Sequence, residues 1–155
     1  MNSDPTGPGP RHEALIQLLR TAENVWNGSR VFFARWELSP SQFNILNVLV
    51  EVPEGRSQTE LSRELLMHRS NVTGLVDRLE RRGLVRRRDQ PGDRRAYRVV
   101  LTPDGRRLVM QIRPHYYAAA DQVWGGFPPK ALPPLIDALA RISTNAGRMA
   151  GEIKH

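Results

Sequence analysis

The sequence predicts a mainly α fold with one small β-hairpin, and three of its features carry that prediction. Apolar residues return at helical spacing over most of the 155 residues. Two segments, Ser39-Pro40-Ser41-Gln42 and Ser57-Gln58-Thr59-Glu60, have the pattern of a capping box. In that arrangement a serine and a residue three further on satisfy each other's backbone amides at a helix start. Strand-like sequence is confined to residues 84–88 and 96–101, on either side of a turn-rich segment. At this length the chain is one domain of ordinary size, or one protomer of a dimer.

Residues 1–10 mix Pro, Gly, Ser and Asp without periodicity and read as a disordered arm. From about residue 12 to 36, Leu15, Leu18, Leu19, Ala22, Val25, Trp26, Phe32, Phe33 and Trp36 set a helical stripe. Pro40 suits the first helical position behind Ser39, and the helix to about Glu51 is apolar on most sides, which makes it central. Pro53-Glu54-Gly55 ends it. The box at Ser57 opens a short helix with Leu61, Leu65 and Leu66 on one face. After a break at Met67-His68, an amphipathic helix spans about 69–82 and closes at Gly83. The two strands follow, around a loop from Asp89 to Arg95. Thr102-Pro103-Asp104 starts a long helix to about Trp124, bent at Pro114. A last helix to about Gly151 carries Leu132, Leu135, Ile136, Leu139, Ile142 and Met149.

This order of short helix, tight turn, amphipathic helix and hairpin is that of a winged helix-turn-helix. The expected division is a winged domain over 37–103 and dimerisation helices over 11–36 and 104–151. The apolar stripes of those terminal helices need a partner, because a monomer would expose more than the few hundred Å² of contiguous apolar surface that soluble proteins tolerate. A two-fold dimer covers them.

Composition narrows the function. The formal net charge is +7. Between Arg78 and Arg107, eleven arginines face only Glu80, Asp89, Asp93 and Asp104, so that segment holds the whole excess. A localised surplus of this kind points to an anionic partner. The absence of cysteine excludes disulfides, thiolate catalysis, thiolate zinc and iron–sulfur clusters. His12, His68, His115 and His155 form no metal-ligand pair, so neither metal nor cofactor is expected. No Ser-His-Asp grouping, phosphate-binding glycine loop or paired carboxylate suggests an enzyme. The chain has no apolar run long enough for a membrane span and no leader-like N-terminus, so a soluble, unprocessed, cytoplasmic and nucleoid-associated protein is expected.

The helix at 69–82 is the candidate reader of double-stranded DNA. Val72, Leu75, Val76 and Leu79 share one side and seat it on the domain. Ser70, Thr73, Gly74, Asp77, Arg78 and Arg81 lie opposite, with Arg69 and Asn71 in its first turn. Small polar residues admit a close approach to base edges, and arginines reach guanine or phosphate. The same face also suits a merely solvated helix. Arg86, Arg87, Arg88, Arg94, Arg95 and Arg98 line the hairpin, where guanidinium groups can enter a minor groove. Asp93 stands two residues before Arg95 and can hold it by a charge-assisted pair. A charged edge that prevents aggregation is the other reading of the hairpin. Trp26, Phe33, Trp36, His115 and Tyr116 can line a ligand cavity or can be plain core.

The run Leu61-Ser62-Arg63-Glu64-Leu65, the stretch from Arg69 to Val85 and the stretch from Asp93 to Gly105 together resemble the MarR family of bacterial transcriptional regulators. The resemblance covers about 39–108 at motif level. It implies an obligate homodimer with intertwined terminal helices on a pseudo-palindromic site, and a repressor loosened from DNA by a small aromatic or anionic effector. By position it places the reading helix at 69–82 and the wing's Asp-x-Arg pair on Asp93 and Arg95, with Arg94 at the tip. Sensing by a first-helix cysteine is excluded. A regulator without a ligand and a winged-helix protein-interaction module stay open.

Overall fold

The computed structural model describes residues 8–90 and 93–152, with side chains at 8–89 and 97–149. Six helices and two strands are present among them: α1 (Pro10–Ala34), α2 (Pro40–Val50), α3 (Gln58–Glu64), α4 (Arg69–Arg81), β1 (Val85–Gln90), β2 (Asp93–Leu101), α5 (Pro103–Trp124) and α6 (Leu132–Glu152). A 3₁₀ turn, Pro129–Ala131, leads into α6. Most of the arm expected over 1–10 lies outside the described residues, and Pro10 already belongs to α1.

The chain forms two compact units, divided between Tyr116 and Tyr117 within α5. The core of the first is built around α2, whose Phe43, Ile45, Leu46 and Leu49 are at most 1% exposed. The helix is buried on most sides, as the sequence implies, with Ser41, Asn44, Asn47 and Val48 half-buried. Leu61 of α3, Val72, Val76 and Leu79 of α4, and Val85 and Val99 of the hairpin close around it. Phe33 from α1 and Val109 and Ile112 from α5 complete that core. The first half of α5, which the sequence reading places with the dimerisation helices, packs into this core. The helix continues through Pro114, which has no N–H to give its ladder. In the second unit, the Trp124 and Phe127 rings meet at 5.5 Å, and Ile136, Leu139, Ile142 and Met149 of α6 are exposed.

Both capping boxes form. Ser39 Oγ accepts from Gln42 N while Gln42 Oε1 accepts from Ser39 N at 2.8 Å. Glu60 does the same for Ser57, at 2.7 Å. The short α3 departs from its expected face in one respect. Leu66 lies beyond the helix with φ of 51° and is 83% exposed, so only Leu61 and the half-buried Leu65 point inward. The left-handed residue turns the chain sharply from α3 toward α4 and takes Leu66 off the apolar stripe.

The hairpin is longer than expected. Antiparallel pairing runs from Val85↔Leu101 to Asp89↔Tyr97, then through an irregularity between Asp89 and Gln90 to Gln90↔Asp93. Much of the segment read as loop is strand, because cross-strand partners extend the ladder up to Pro91-Gly92, which lie outside the described residues. Arg56 adds a bridge on the other side of β2, exchanging backbone hydrogen bonds with Val99 at 3.0 and 2.7 Å. Gly55, at φ of 80°, is required there: a Cβ would stand 2.3 Å from the Val99 carbonyl oxygen.

The corner between hairpin and α5 is equally tight. Thr102 Oγ1 donates to Gly83 O at 2.6 Å and accepts from Gly105 N at 3.0 Å, while Thr102 N donates to Leu84 O. A Cβ on Gly105 would fall 2.0 Å from Leu84 O. Alanine gains roughly 1 kcal/mol of helix propensity, but the clash is with backbone and cannot be relieved by a rotamer. Gly105→Ala is expected to destabilise the protein by about 2 kcal/mol, read as a lowered urea midpoint. An unchanged midpoint would show that this corner opens freely.

Glu60 gives a pH-dependent expectation. Hydrogen bonding from the Ser57 backbone N–H lowers its pKa below the ordinary 4.5, helped by the Ser57 hydroxyl, Arg98 and Arg56 and opposed by desolvation. A carboxyl depressed in the folded state contributes stability above its unfolded pKa and loses it as pH falls through the folded value. Glu60→Gln keeps an acceptor for Ser57 but not the charge. The stability advantage of the wild type over E60Q should therefore be constant near neutrality and shrink as pH drops below 4.5. Parallel pH profiles for the two proteins would contradict this.

Candidate nucleic-acid interface

The buried stripe of α4 is Val72, Leu75, Val76 and Leu79, which commits one side of the helix to the core. Arg69, Ser70, Asn71, Asp77, Arg78 and Arg81 are exposed on the rest, with Thr73 and Gly74 half-buried between. The N-cap His68 supplies no side-chain hydrogen bond, and its carbonyl accepts from Asn71 N at 3.0 Å. Arg69 and Arg78 make no ion pair among the described residues. At its other end α4 is tied down. Arg82 donates to Glu37 O at 2.6 Å and Trp36 O at 3.1 Å, satisfying carbonyls at the turn where α1 ends.

The hairpin is fixed to α4 by Arg87. Its guanidinium pairs with Asp77 and Glu80 on α4, its backbone N donates to Glu80 Oε1 at 2.8 Å, and its Cζ lies 5.0 Å from the centre of the Tyr97 ring. Burial by itself would lower the Arg87 pKa. Hydrogen bonding with Tyr97, Asp77 and Glu80 outweighs it and holds the pKa above the ordinary value, so the charge is permanent. Arg87 and Asp77, both expected at DNA, are engaged with each other within the domain. Two further arginines, paired across the hairpin, act similarly. Arg98 donates to Gly55 O at 2.7 Å and Glu54 O at 3.2 Å, and pairs with Glu60 at 3.5 Å. Arg88 donates to Glu54 O at 3.0 Å.

Part of the positive surplus over 78–107 is thus internal bracing. Charge counting cannot detect this, because the acceptors are backbone carbonyls and carboxylates on other elements. Arg69, Arg78, Arg81 and Arg86 remain as exposed cations around α4 and the start of β1. Asp93, Arg94 and Arg95 begin β2, and their side chains, with the pairing expected of them, lie outside the described residues. Gln58, which the sequence reading leaves inside a capping box without a role, is 8% exposed and its Oε1 lies 3.3 Å from Thr73 Oγ1.

The five aromatic and histidine candidates do not form one group. Phe33, 2% exposed, stacks on Phe43 at 4.4 Å and lies 5.8 Å from Tyr116, which also meets Phe43 at 5.1 Å. Phe33 belongs to the hydrophobic core. Trp36 and His115 pair at 6.0 Å on the edge of that cluster. Trp26, nearer the start of α1, is exposed and makes no ring contact among the described residues. Neither a cluster of metal-ligating side chains nor a helix long and apolar enough to cross a membrane occurs among the described residues.

Comparison with known proteins agrees with this geometry. Residues 36–96 match the model of the MarR family. The HTH-type transcriptional repressor YetL of Bacillus subtilis is 33% identical over 112 residues, which cover 72% of this chain and 67% of YetL. CouR from Rhodococcus jostii, solved with p-coumaroyl-CoA bound, is 27% identical with a TM-score of 0.73 over 81% of this chain and 88% of its own. A MarR-family regulator from Streptomyces coelicolor, solved in complex with DNA, shares the fold at 22% identity. Its TM-score is 0.83 over 93% of this chain and 92% of its own. The chain belongs to the MarR family of DNA-binding transcriptional regulators and is not an enzyme.

Proposed function

We propose that this protein is a homodimeric repressor that occupies a pseudo-palindromic operator in the cytoplasm and is released by a small aromatic or anionic ligand. The observation that carries the DNA-reading part is the construction of α4. One side is sunk in the core, the opposite side offers Ser70, Thr73, Gly74, Arg78 and Arg69, and Arg87 fixes the hairpin alongside. Such a unit enters a major groove with its small residues against the bases and its arginines at guanine or phosphate. Asn71 and Arg81 extend the same face, and Arg94 and Arg95 at the hairpin end are assigned to the neighbouring backbone or minor groove, with Asp93 orienting Arg95.

Dimerisation through the terminal helices is supported by the exposed apolar side chains of α1 and α6, among them Leu15, Leu19, Ile136 and Ile142. A ligand is supported by CouR, whose bound p-coumaroyl-CoA is both aromatic and anionic. In this chain the Trp36–His115 pair is the exposed edge of the aromatic cluster and the place where such a ligand would bear on the turn held by Arg82.

The test starts with duplexes selected from genomic DNA by the purified full-length protein. Sedimentation should give twice 17.6 kDa at micromolar concentration. Fluorescence anisotropy across a salt series should give a log–log slope of about −5 to −9, for six to ten phosphates neutralised per dimer. Aromatic acids and their thioesters, added to the complex, should release it. A folded monomer or a slope near zero would overturn the reading. Binding indifferent to every added acid would leave a regulator without that ligand class.

A further inference from the structure

Thr73 is the polar reading-face residue whose hydroxyl is held from within the protein. Its Oγ1 lies 3.0 Å from Arg69 O, one turn back on α4, and 3.3 Å from Oε1 of Gln58 on α3. A threonine hydroxyl has one proton and two lone pairs. Gln58 is 8% exposed, and its Nε2 is buried without a partner. Its amide therefore has two ways to meet Thr73. With Oε1 toward the hydroxyl, Thr73 donates either to Gln58 or to Arg69 O. With the amide turned over, Nε2 finds an acceptor in Thr73 Oγ1, and the hydroxyl proton goes to Arg69 O. In each of these arrangements the proton is used inside the protein.

We infer that Thr73 meets DNA as a hydrogen-bond acceptor only, and that buried Gln58 is a positioning residue that holds it so. This rests on the reading of α4 as the major-groove element and makes that reading chemically specific. A free hydroxyl can serve as donor or acceptor and discriminates poorly between bases. One whose proton is already committed can only accept, and in the major groove the donors are adenine N6 and cytosine N4. The keto bases guanine and thymine present acceptors at the corresponding place, so they would leave two oxygens facing each other. Thr73 should select A or C over G or T on the strand it approaches, at one position in each half-site. The methyl group of Thr73 adds apolar contact without changing that choice.

Selection from a randomised duplex library, using the full-length protein, tests this. Wild type should favour A or C at one position per half-site by about five- to tenfold, the worth of one hydrogen bond. Thr73→Val, which keeps the shape and loses the oxygen, should flatten that position alone, whereas Thr73→Ser should retain it. Gln58→Met should weaken the same preference severalfold and leave the other positions intact, with circular dichroism confirming the fold. If the position flattened by T73V selects G or T in the wild type, the hydroxyl donates and the inference fails while α4 remains the reader. An unchanged profile in Q58M removes Gln58 from the account. If T73V and Arg78→Ala both reduce binding to all sequences equally, α4 does not read bases, and both the inference and the reading beneath it fall.

Discussion

The arrangement of this domain depends on one guanidinium. Arg87 leaves β1 and reaches Asp77 and Glu80 on α4, with the Tyr97 ring packed near it from β2. A two-stranded hairpin is marginal by itself in water, and a reading helix rotated by one residue would present a different face. The clamp addresses both problems, because it joins hairpin and helix at two carboxylates on successive turns. An arginine suits this role better than a lysine would, since its planar fork can engage two carboxylates at once and its charge cannot be titrated away.

Around that clamp, other contacts set the ends of α4 and the hairpin. Arg82 fastens the C-terminal end of α4 to the carbonyls of Trp36 and Glu37, where α1 turns toward α2. Arg98 and Arg88 fasten the middle of the hairpin to the Glu54-Gly55 turn. On the outer face of α4, Arg69 and Arg78 make no ion pair among the described residues and stand exposed beside Ser70, available to a partner. The division of labour among arginines is therefore geometric: those in the middle of the hairpin and at the end of α4 brace the domain, and those on the outer face of α4 do not. The link from Arg82 to Trp36 also connects the reading helix to the aromatic edge at His115 by a short, continuous set of contacts.

Most of the helical framework is legible in the sequence because its signals are local. Both capping boxes, the closing Gly83 and the i, i+3, i+4, i+7 stripe of α4 act within a few residues of chain, so spacing alone reveals them. Tertiary partners decided the rest. Leu66 has the right spacing for the α3 stripe, yet a left-handed backbone removes it. Residues Asp89 to Arg95 have loop composition, but cross-strand pairing keeps much of the segment in the ladder. Charge counting finds the basic segment and cannot tell a DNA-facing arginine from one whose acceptor is the carbonyl of Glu37 or Glu54. Gln58 is invisible in sequence for the same reason, since its partner Thr73 lies on the next helix.

The clamp is most directly tested by a double-mutant cycle between Arg87 and Glu80, using Arg87→Met and Glu80→Gln and reading unfolding free energies in urea. Both side chains are partly exposed, so solvent screening reduces the pair below a buried one. A coupling of about 1 kcal/mol is expected for two groups that act together. Effects that add to within about 0.3 kcal/mol would mean that the hairpin and α4 are held independently of Arg87, contradicting the account.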